Sequence, residues 1–371
     1  MNILITGASG FIGKNLRQWL LQNRPEDNLI CYDVNEAGKL VEYCCLADFV
    51  FHLAGVNRPD NDAEFDRGNK ELTEEVLSYC REGKKPPVLL TSSVQAEEDN
   101  PYGKSKKAAE RAVAAYGQDT GAPVYIYRLR GIFGKWCRPN YNSVVATFCH
   151  NIANGMSIEI RDPDFELKLL YIDDVCRCFL GAIDGRVDME SGYCVAGPVN
   201  RITLGNLASV INSFRDGRES LRTPDMSNAL VRKLHSTYLS YLPDFSYPLL
   251  TRADERGSFT EMFKSSNSGQ ISVSITKPGY TKGNHWHHTK TEKFLTVSGQ
   301  GVIRFRKIGG AEVIEYPVSM DKLEIVDIPP GFTHSLTNTG QTDMVTIIWV
   351  DEIFDPNVPD TFFEDVFPKG S

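Results

Sequence analysis

Short apolar runs alternate with amphipathic stretches over the first 130 residues. The segments Asn2–Ile5, Asn28–Tyr32, Phe49–Leu53, Val88–Leu90 and Val124–Tyr127 are dominated by apolar residues, as expected of strands buried on both faces. Between them, Lys14–Gln22, Glu71–Arg81 and Ser105–Tyr116 carry a helical period. This alternation predicts βαβ units and a doubly wound parallel sheet with helices on both faces. After about residue 245 the period shortens to two. Alternating runs appear at Gln270–Lys277, Glu292–Val297, Gly301–Arg306, Lys322–Ile328 and Met344–Val350, broken by Pro-Gly, Gly-Gln-Gly, Gly-Gly and Pro-Pro-Gly turns. That pattern predicts an all-β sandwich or barrel. The chain of 371 residues is therefore expected to form two domains, 1–245 and 246–371, with the junction in the aromatic-rich stretch 235–252.

Composition narrows the function classes. Hydrophobic residues make up 41% and charged residues 24%, which suits globular cores. A formal net charge of −8 leaves no basic surplus for nucleic acid or an acidic membrane. The nine cysteines are odd in number, include no CxxC pair and stop before position 200, so reduced and mostly buried thiols are expected. No charged n-region precedes an apolar h-region, and no apolar run reaches the ~18 residues of a membrane span. A cytoplasmic protein without membrane insertion is the expectation.

Thr6-Gly7-Ala8-Ser9-Gly10-Phe11-Ile12-Gly13 follows the first strand and opens a helix. Glycines in this order give a tight turn, a close approach of backbone to a pyrophosphate, and close packing of helix on sheet. The helix N-terminus supplies free N–H groups to phosphate. Phe11, Ile12, Lys14, Leu53 and Ala54 join the candidate dinucleotide site of a Rossmann-type sheet. Asp33, twenty residues beyond Gly13, stands where a carboxylate holds the ribose 2′-hydroxyl of NAD(H), whereas Lys14 is placed to meet the 2′-phosphate of NADP(H). Spacing alone leaves both cofactors open.

Tyr102 and Lys106 lie four apart, on one helix face. An ammonium beside the phenol is expected to lower its pKa for proton transfer, and the lysine can also hold the nicotinamide ribose. Ser93 offers a hydroxyl to a substrate carbonyl, with Ser92 as the alternative because Ser93 and Tyr102 are only nine residues apart. These residues resemble the extended short-chain dehydrogenase/reductases. His52-Leu53-Ala54-Gly55, Asn69 and Leu170-Tyr171-Ile172-Asp173-Asp174-Val175 add to the likeness, which covers roughly residues 1–240. The resemblance implies action on nucleotide sugars. Gly131 stands where many members have asparagine, and Val94-Gln95 replaces the Asp-Glu pair of the 4,6-dehydratases, which implies carbonyl reduction rather than dehydration.

In the β-rich part, Gly279-x5-His285-x-His287-x4-Glu292-x6-Gly299 is followed by Pro329-x-Gly331-x2-His334-x3-Asn338. Alternation on a strand points His285 and His287 to one face, and a strand pairing alongside is expected to add Glu292 and His334. Three imidazoles and a carboxylate suit Zn²⁺, Fe²⁺, Mn²⁺ or Ni²⁺; His288 is the expected non-ligand. Both segments resemble the two cupin motifs, with Leu323 in place of an opening glycine, and imply a jelly-roll barrel. Asp254-Glu255-Arg256-Gly257-Ser258-Phe259-Thr260-Glu261 resembles the opening of the deoxysugar 3,5-epimerases.

The order and length of the two parts resemble the CapF-type capsular polysaccharide enzymes. That resemblance implies C3 epimerisation of a UDP-linked 4-keto-6-deoxysugar in the barrel, then C4 reduction to a UDP-2-acetamido-2,6-dideoxy-L-talose. The product lies on the route to UDP-N-acetyl-L-fucosamine. It also implies NADP(H), one zinc per barrel, and a homodimer or larger homo-oligomer. Two alternatives stay open: a reductase whose barrel serves only oligomerisation or stability, and a dinucleotide sensor without turnover.

Overall fold

The computed structural model describes residues 1–33 and 38–367. The chain forms two compact units, Met1–Ile211 with Lys233–Pro243, and Asn212–Arg232 with Asp244–Ser371. The single cut expected at residue 245 therefore misplaces one segment. Residues 212–232 pack with the second unit: Lys264 N donates to Leu221 O at 2.7 Å, and Thr223 N donates to Lys264 O at 2.8 Å. Helical residues on either side of that segment hid the crossing from a reading of texture.

In the first unit β1 (Asn2–Thr6), β2 (Asn28–Tyr32), β3 (Phe49–His52), β4 (Val88–Ser93) and β5 (Val124–Leu129) run parallel in the order β2-β1-β3-β4-β5. The chain then makes β6 (Gly131–Phe133) and β7 (Glu166–Tyr171) before β8 (Met189–Glu190) and β9 (Tyr193–Cys194) return to extend the main sheet beyond β5. With β10 (Asn200–Thr203), β7 and β6 form a small second sheet, order β10-β7-β6. Both faces of the main sheet are buried. Ile3, Ile5, Phe49 and Phe51 pack with Leu16, Leu20 and Phe179 on one face. Leu4, Val50 and Leu90 pack with Val76, Leu77, Val113 and Tyr116 on the other. Burying each such side chain contributes roughly 1.5–3 kcal/mol. After β2 the winding reverses and β3 is laid on the far side of β1, so the ends of β1 and β3 flank a crevice where such sheets take their ligands.

The second unit is two antiparallel sheets. Its strands are β11 (Thr251–Asp254), β12 (Gly257–Ser265), β13 (Gly269–Thr276), β14 (Thr281–Trp286), β15 (Glu292–Ser298), β16 (Gln300–Lys307), β17 (Val313–Ser319), β18 (Ile325–Ile328), β19 (Phe332–Asn338), β20 (Met344–Val350) and β21 (Phe362–Phe363). They pair in the orders β11-β12-β13-β20-β15-β18 and β17-β16-β19-β14-β21. Phe294, Ile303, Phe305, Val326, Ile328, Leu336, Met344 and Ile348 form the apolar core of this jelly roll. Among the described residues there is no disulfide, and no helix is long and apolar enough to cross a membrane.

Candidate active site and metal centre

The glycine loop joins β1 to the helix Phe11–Asn23. Gly7 has φ +71°, and a Cβ there would meet Ala54 N at 2.8 Å. At Gly13 a Cβ would lie 2.3 Å from Gly7 O and 2.7 Å from Ala8 Cα, so only glycine lets the helix start this close to the turn. Gly10 caps the helix without a side-chain hydrogen bond, and Phe11 and Ile12 pack into the core behind it. That arrangement leaves first-turn amides for an anion. Leu53 and Ala54 leave the end of β3 beside Gly7. Asp33 follows β2 and its carboxylate accepts from Ser9 N at 3.1 and 3.2 Å. Lys14, Arg17, Gln18, Cys31, Asp33 and Trp136 line a cleft with Ala8 and Ser9. Arg17 and Trp136 were not anticipated; neither belongs to the glycine motif, and Trp136 arrives from more than 100 residues away.

β4 delivers Ser93, and a 3₁₀ turn, Val94–Glu97, leads to the helix Pro101–Thr120. Asn100 caps this helix by accepting from Gly103 N at 2.7 Å, with Pro101 in the first turn. A Cβ at Gly103 would meet Glu98 O at 2.4 Å and Gln95 O at 2.5 Å. The helix start thus packs directly on the 3₁₀ turn, which is how a nine-residue spacing still brings Tyr102 near Ser93. Lys106 is fully buried one turn on, and its Nζ donates to Thr91 O at 3.2 Å. Burial lowers its pKa to about 8, opposed by the nearby Glu110.

The expectation for the phenol is corrected here. Burial raises the Tyr102 pKa, and the nearby Ser93 hydroxyl only partly opposes that rise. Ser92 and Ser93 lie in different surroundings. Ser92 donates to the buried Glu110 carboxylate at 2.5 Å, and that carboxylate also accepts from Arg128 at 2.7 and 2.9 Å. Ser92 therefore belongs to a buried ion-pair network, whereas Ser93 meets Tyr102. Asn69 accepts from Val56 N at 3.0 Å and donates to Val56 O at 2.9 Å and to Ser105 Oγ at 3.0 Å, tying the segment after β3 to the Tyr102 helix. Gly131 opens β6 and a Cβ there would find ordinary contacts.

In the barrel, His285 on β14 sits opposite His334 on the neighbouring β19. A bulge after Gly283, with Asn284 at φ +59°, turns the end of β14 so that His287 lies just beyond it. Glu292 opens β15, which belongs to the other sheet. The carboxylate therefore crosses from the facing sheet rather than from a strand alongside, because the barrel wraps the two sheets round a common interior. One ligand atom from each of the four lies within 4.8 Å of the others. Glu292 Oε2 is 3.5 Å from His287 Nε2 and 3.3 Å from His334 Nε2. His287 Nε2, Glu292 Oε2 and both ring nitrogens of His334 are buried without a hydrogen-bond partner. Of these, His287 Nε2, Glu292 Oε2 and His334 Nε2 converge, and leaving them unpaired in the barrel interior would be costly unless a further group meets them. Burial lowers the His285 pKa to about 4, and the histidines hold Glu292 well below the usual carboxylate range. A neutral His285 ring offers a lone pair, the form a divalent cation takes. His288 is exposed, its ring against Trp286 and Phe362, outside the cluster. The cluster opens on a cavity of about 310 Å³, whose wall includes Phe259, Glu261, Lys282 and Lys290. Lys282 Nζ donates to Ser258 O, Ile275 O and Ser274 Oγ at 2.8, 2.8 and 3.2 Å, so its three N–H groups are engaged.

Comparison with known proteins fits both halves. Residues 3–195 match the NAD dependent epimerase/dehydratase family, and residues 252–362 match the polysaccharide biosynthesis C-terminal domain. The chain is 46% identical over 365 residues, 98% of each chain, to a UDP-2-acetamido-2,6-beta-L-arabino-hexul-4-ose reductase of Pseudomonas aeruginosa. Among solved structures, it superposes on the capsular polysaccharide assembling protein CapF of Staphylococcus aureus with a TM-score of 0.93 and 50% identity, covering 98% of this chain and 100% of that one. A CapF structure with the inhibitor 3-isopropenyl-tropolone gives a TM-score of 0.88 at 46% identity, with the same coverage. The chain belongs to the NAD dependent epimerase/dehydratase family, and within it to the CapF-type proteins that carry a polysaccharide biosynthesis C-terminal domain.

Proposed function

We propose that the first unit reduces the C4 ketone of a UDP-linked 2-acetamido-2,6-dideoxy-4-hexulose, and that the barrel first epimerises the same sugar at C3. The product is then a UDP-2-acetamido-2,6-dideoxy-L-talose, on the route to UDP-N-acetyl-L-fucosamine for capsular polysaccharide. The observation that carries the reductase half is Tyr102 and Lys106 one turn apart on a helix whose start packs on the turn after Ser93, beyond the end of β4 in the sheet whose glycine loop follows β1. The Pseudomonas relative, named for reduction of a UDP-linked hexul-4-ose, supports the substrate class.

The nicotinamide cofactor, when bound, supplies the hydride for the ketone carbon. Tyr102 Oη donates its proton to the ketone oxygen, which suits a phenol that burial keeps protonated. Ser93 Oγ hydrogen-bonds the same oxygen and aligns it. Lys106 Nζ, with one N–H on Thr91 O, has others for the cofactor ribose and the phenol. Lys14 and Arg17 in the cleft beside Ser9 supply positive charge for a 2′-phosphate, which favours NADP(H); Asp33, already accepting from Ser9, is the feature that suits NAD(H).

In the barrel, His285, His287, Glu292 and His334 would hold the metal, with zinc the best match to three imidazoles and one carboxylate. The metal, when bound, polarises the ketone and so acidifies the neighbouring C–H. A cavity of about 310 Å³ is near the low end of ligand sites, ~300–1,000 Å³, and suits the sugar ring rather than the whole nucleotide sugar. The experiment is oxidation of NADPH by the purified chain on addition of the UDP-4-ketosugar. Turnover with the L-talo product supports the reading; no oxidation with either NADPH or NADH contradicts it.

A further inference from the structure

One residue of the segment that follows β20 carries most of the contacts holding the loop of His287 in place. Asp360 O accepts from His287 Nδ1 at 2.6 Å. A ring that donates from Nδ1 presents Nε2 as a lone pair, and Nε2 is the atom that faces Glu292 without a hydrogen-bond partner. The Asp360 carboxylate accepts the N–H groups of His288, Thr289 and Lys290, each at 2.9 Å, and the Thr289 hydroxyl at 3.2 Å. The turn between His287 and Glu292 is thus folded round this carboxylate. Asp360 does so at φ +39°, a left-handed conformation that a non-glycine residue keeps only where contacts hold it.

The flanking residues brace the same site. Lys290 Nζ donates to Pro359 O at 2.6 Å and to Thr361 Oγ1 at 3.0 Å. β21 pairs with β14 at His285, and Thr333, next to His334, donates to Glu364 O. Each of the three histidines is therefore touched, itself or through a neighbour, by residues 359–364.

We propose that Asp360 is a positioning residue for the metal site, its carbonyl fixing the tautomer and direction of His287 while its carboxylate holds the 288–290 turn. The proposal rests on the four side chains being metal ligands, as argued above. Groups that hydrogen-bond the far nitrogen of a metal-ligating histidine change metal affinity by about 10–100-fold.

The test uses the full chain, zinc in competition with a chromophoric chelator, and cobalt as a spectroscopic probe. Asp360→Ala is expected to weaken zinc binding by about 10–100-fold and to alter the visible cobalt spectrum. Asp360→Asn, which tolerates positive φ and keeps an acceptor oxygen, is expected to restore most of the affinity. If Asp360→Ala does not fold, Asp360→Gly removes the carboxylate without backbone strain and is expected to show the same loss. Wild-type zinc affinity with an unchanged cobalt spectrum in Asp360→Ala or Asp360→Gly overturns the proposal. A wild-type chain that binds no zinc overturns instead the metal reading on which it rests.

Discussion

The two candidate sites are built on opposite principles. In the α/β unit Lys106 Nζ donates to Thr91 O and Ser93 Oγ accepts from Gln95 N, and binding falls to backbone amides at a helix start. In the barrel the converging atoms of His287, Glu292 and His334 have none. The first site is complete as a scaffold and awaits a substrate; the second carries a deficit that a cation would remove. The α/β unit should therefore tolerate loss of its ligand in stability, whereas the barrel should not.

The largest effect that would break this comparison lies in the first site. Tyr102→Phe keeps the ring and removes only the proton donor, and steady-state turnover should fall by ~10²–10⁴-fold. Survival of reduction would remove the tyrosine from its role. Next comes the metal. Stripping zinc with a chelator, or His334→Ala, should take metal content from about one per chain towards zero. It should also lower the thermal midpoint of the barrel, by the equivalent of ~3 kcal/mol at a hundredfold excess of metal over its Kd. Calorimetry showing the barrel transition unmoved would contradict the deficit.

The two serines separate positioning from scaffold. Ser93→Ala should cost turnover about 10–100-fold, the worth of one hydrogen bond to a charged transition state. Ser92→Ala should leave turnover within about threefold but lower stability by ~1–3 kcal/mol, because the buried Glu110 loses a donor. The reverse outcome in kinetics and urea unfolding would exchange their roles. The smallest effect is in pH. Lys106 is charged below its pKa of about 8 and neutral above it. kcat/KM for reduction should hold level below that pH and fall by up to about tenfold per unit above it. A flat profile to pH 10 would show that the charge on Lys106 is not needed.

Much of this was legible in the sequence, and unevenly so. β2 and β20 fall on the very runs that apolar content marks out, because their residues pack into apolar cores: Leu29 and Cys31 on one face of the first sheet, Ile30 and Tyr32 on the other, and Met344 and Ile348 inside the barrel. β14 reads poorly as a strand: Thr281–Trp286 is half-buried at every position, has Lys282 and His285 in the cavity wall, and carries a bulge. Its two histidines were found by motif spacing instead. Glu292 was found by the same spacing, but its arrival from the facing sheet depends on closure of the barrel. Asp360 left no local signal. It lies more than 70 residues from the loop it holds, and an aspartate after a proline reads as an ordinary turn.

The central claim is that two steps on one ketone are divided between the two sites. Incubation of the Tyr102→Phe chain with the UDP-4-ketosugar in D₂O, without nicotinamide, tests it most directly. The account predicts deuterium at C3 with no reduction, and loss of that exchange when His334→Ala is added. No exchange at C3 in the metal-loaded chain would contradict it and leave the barrel a stabilising or oligomerising module.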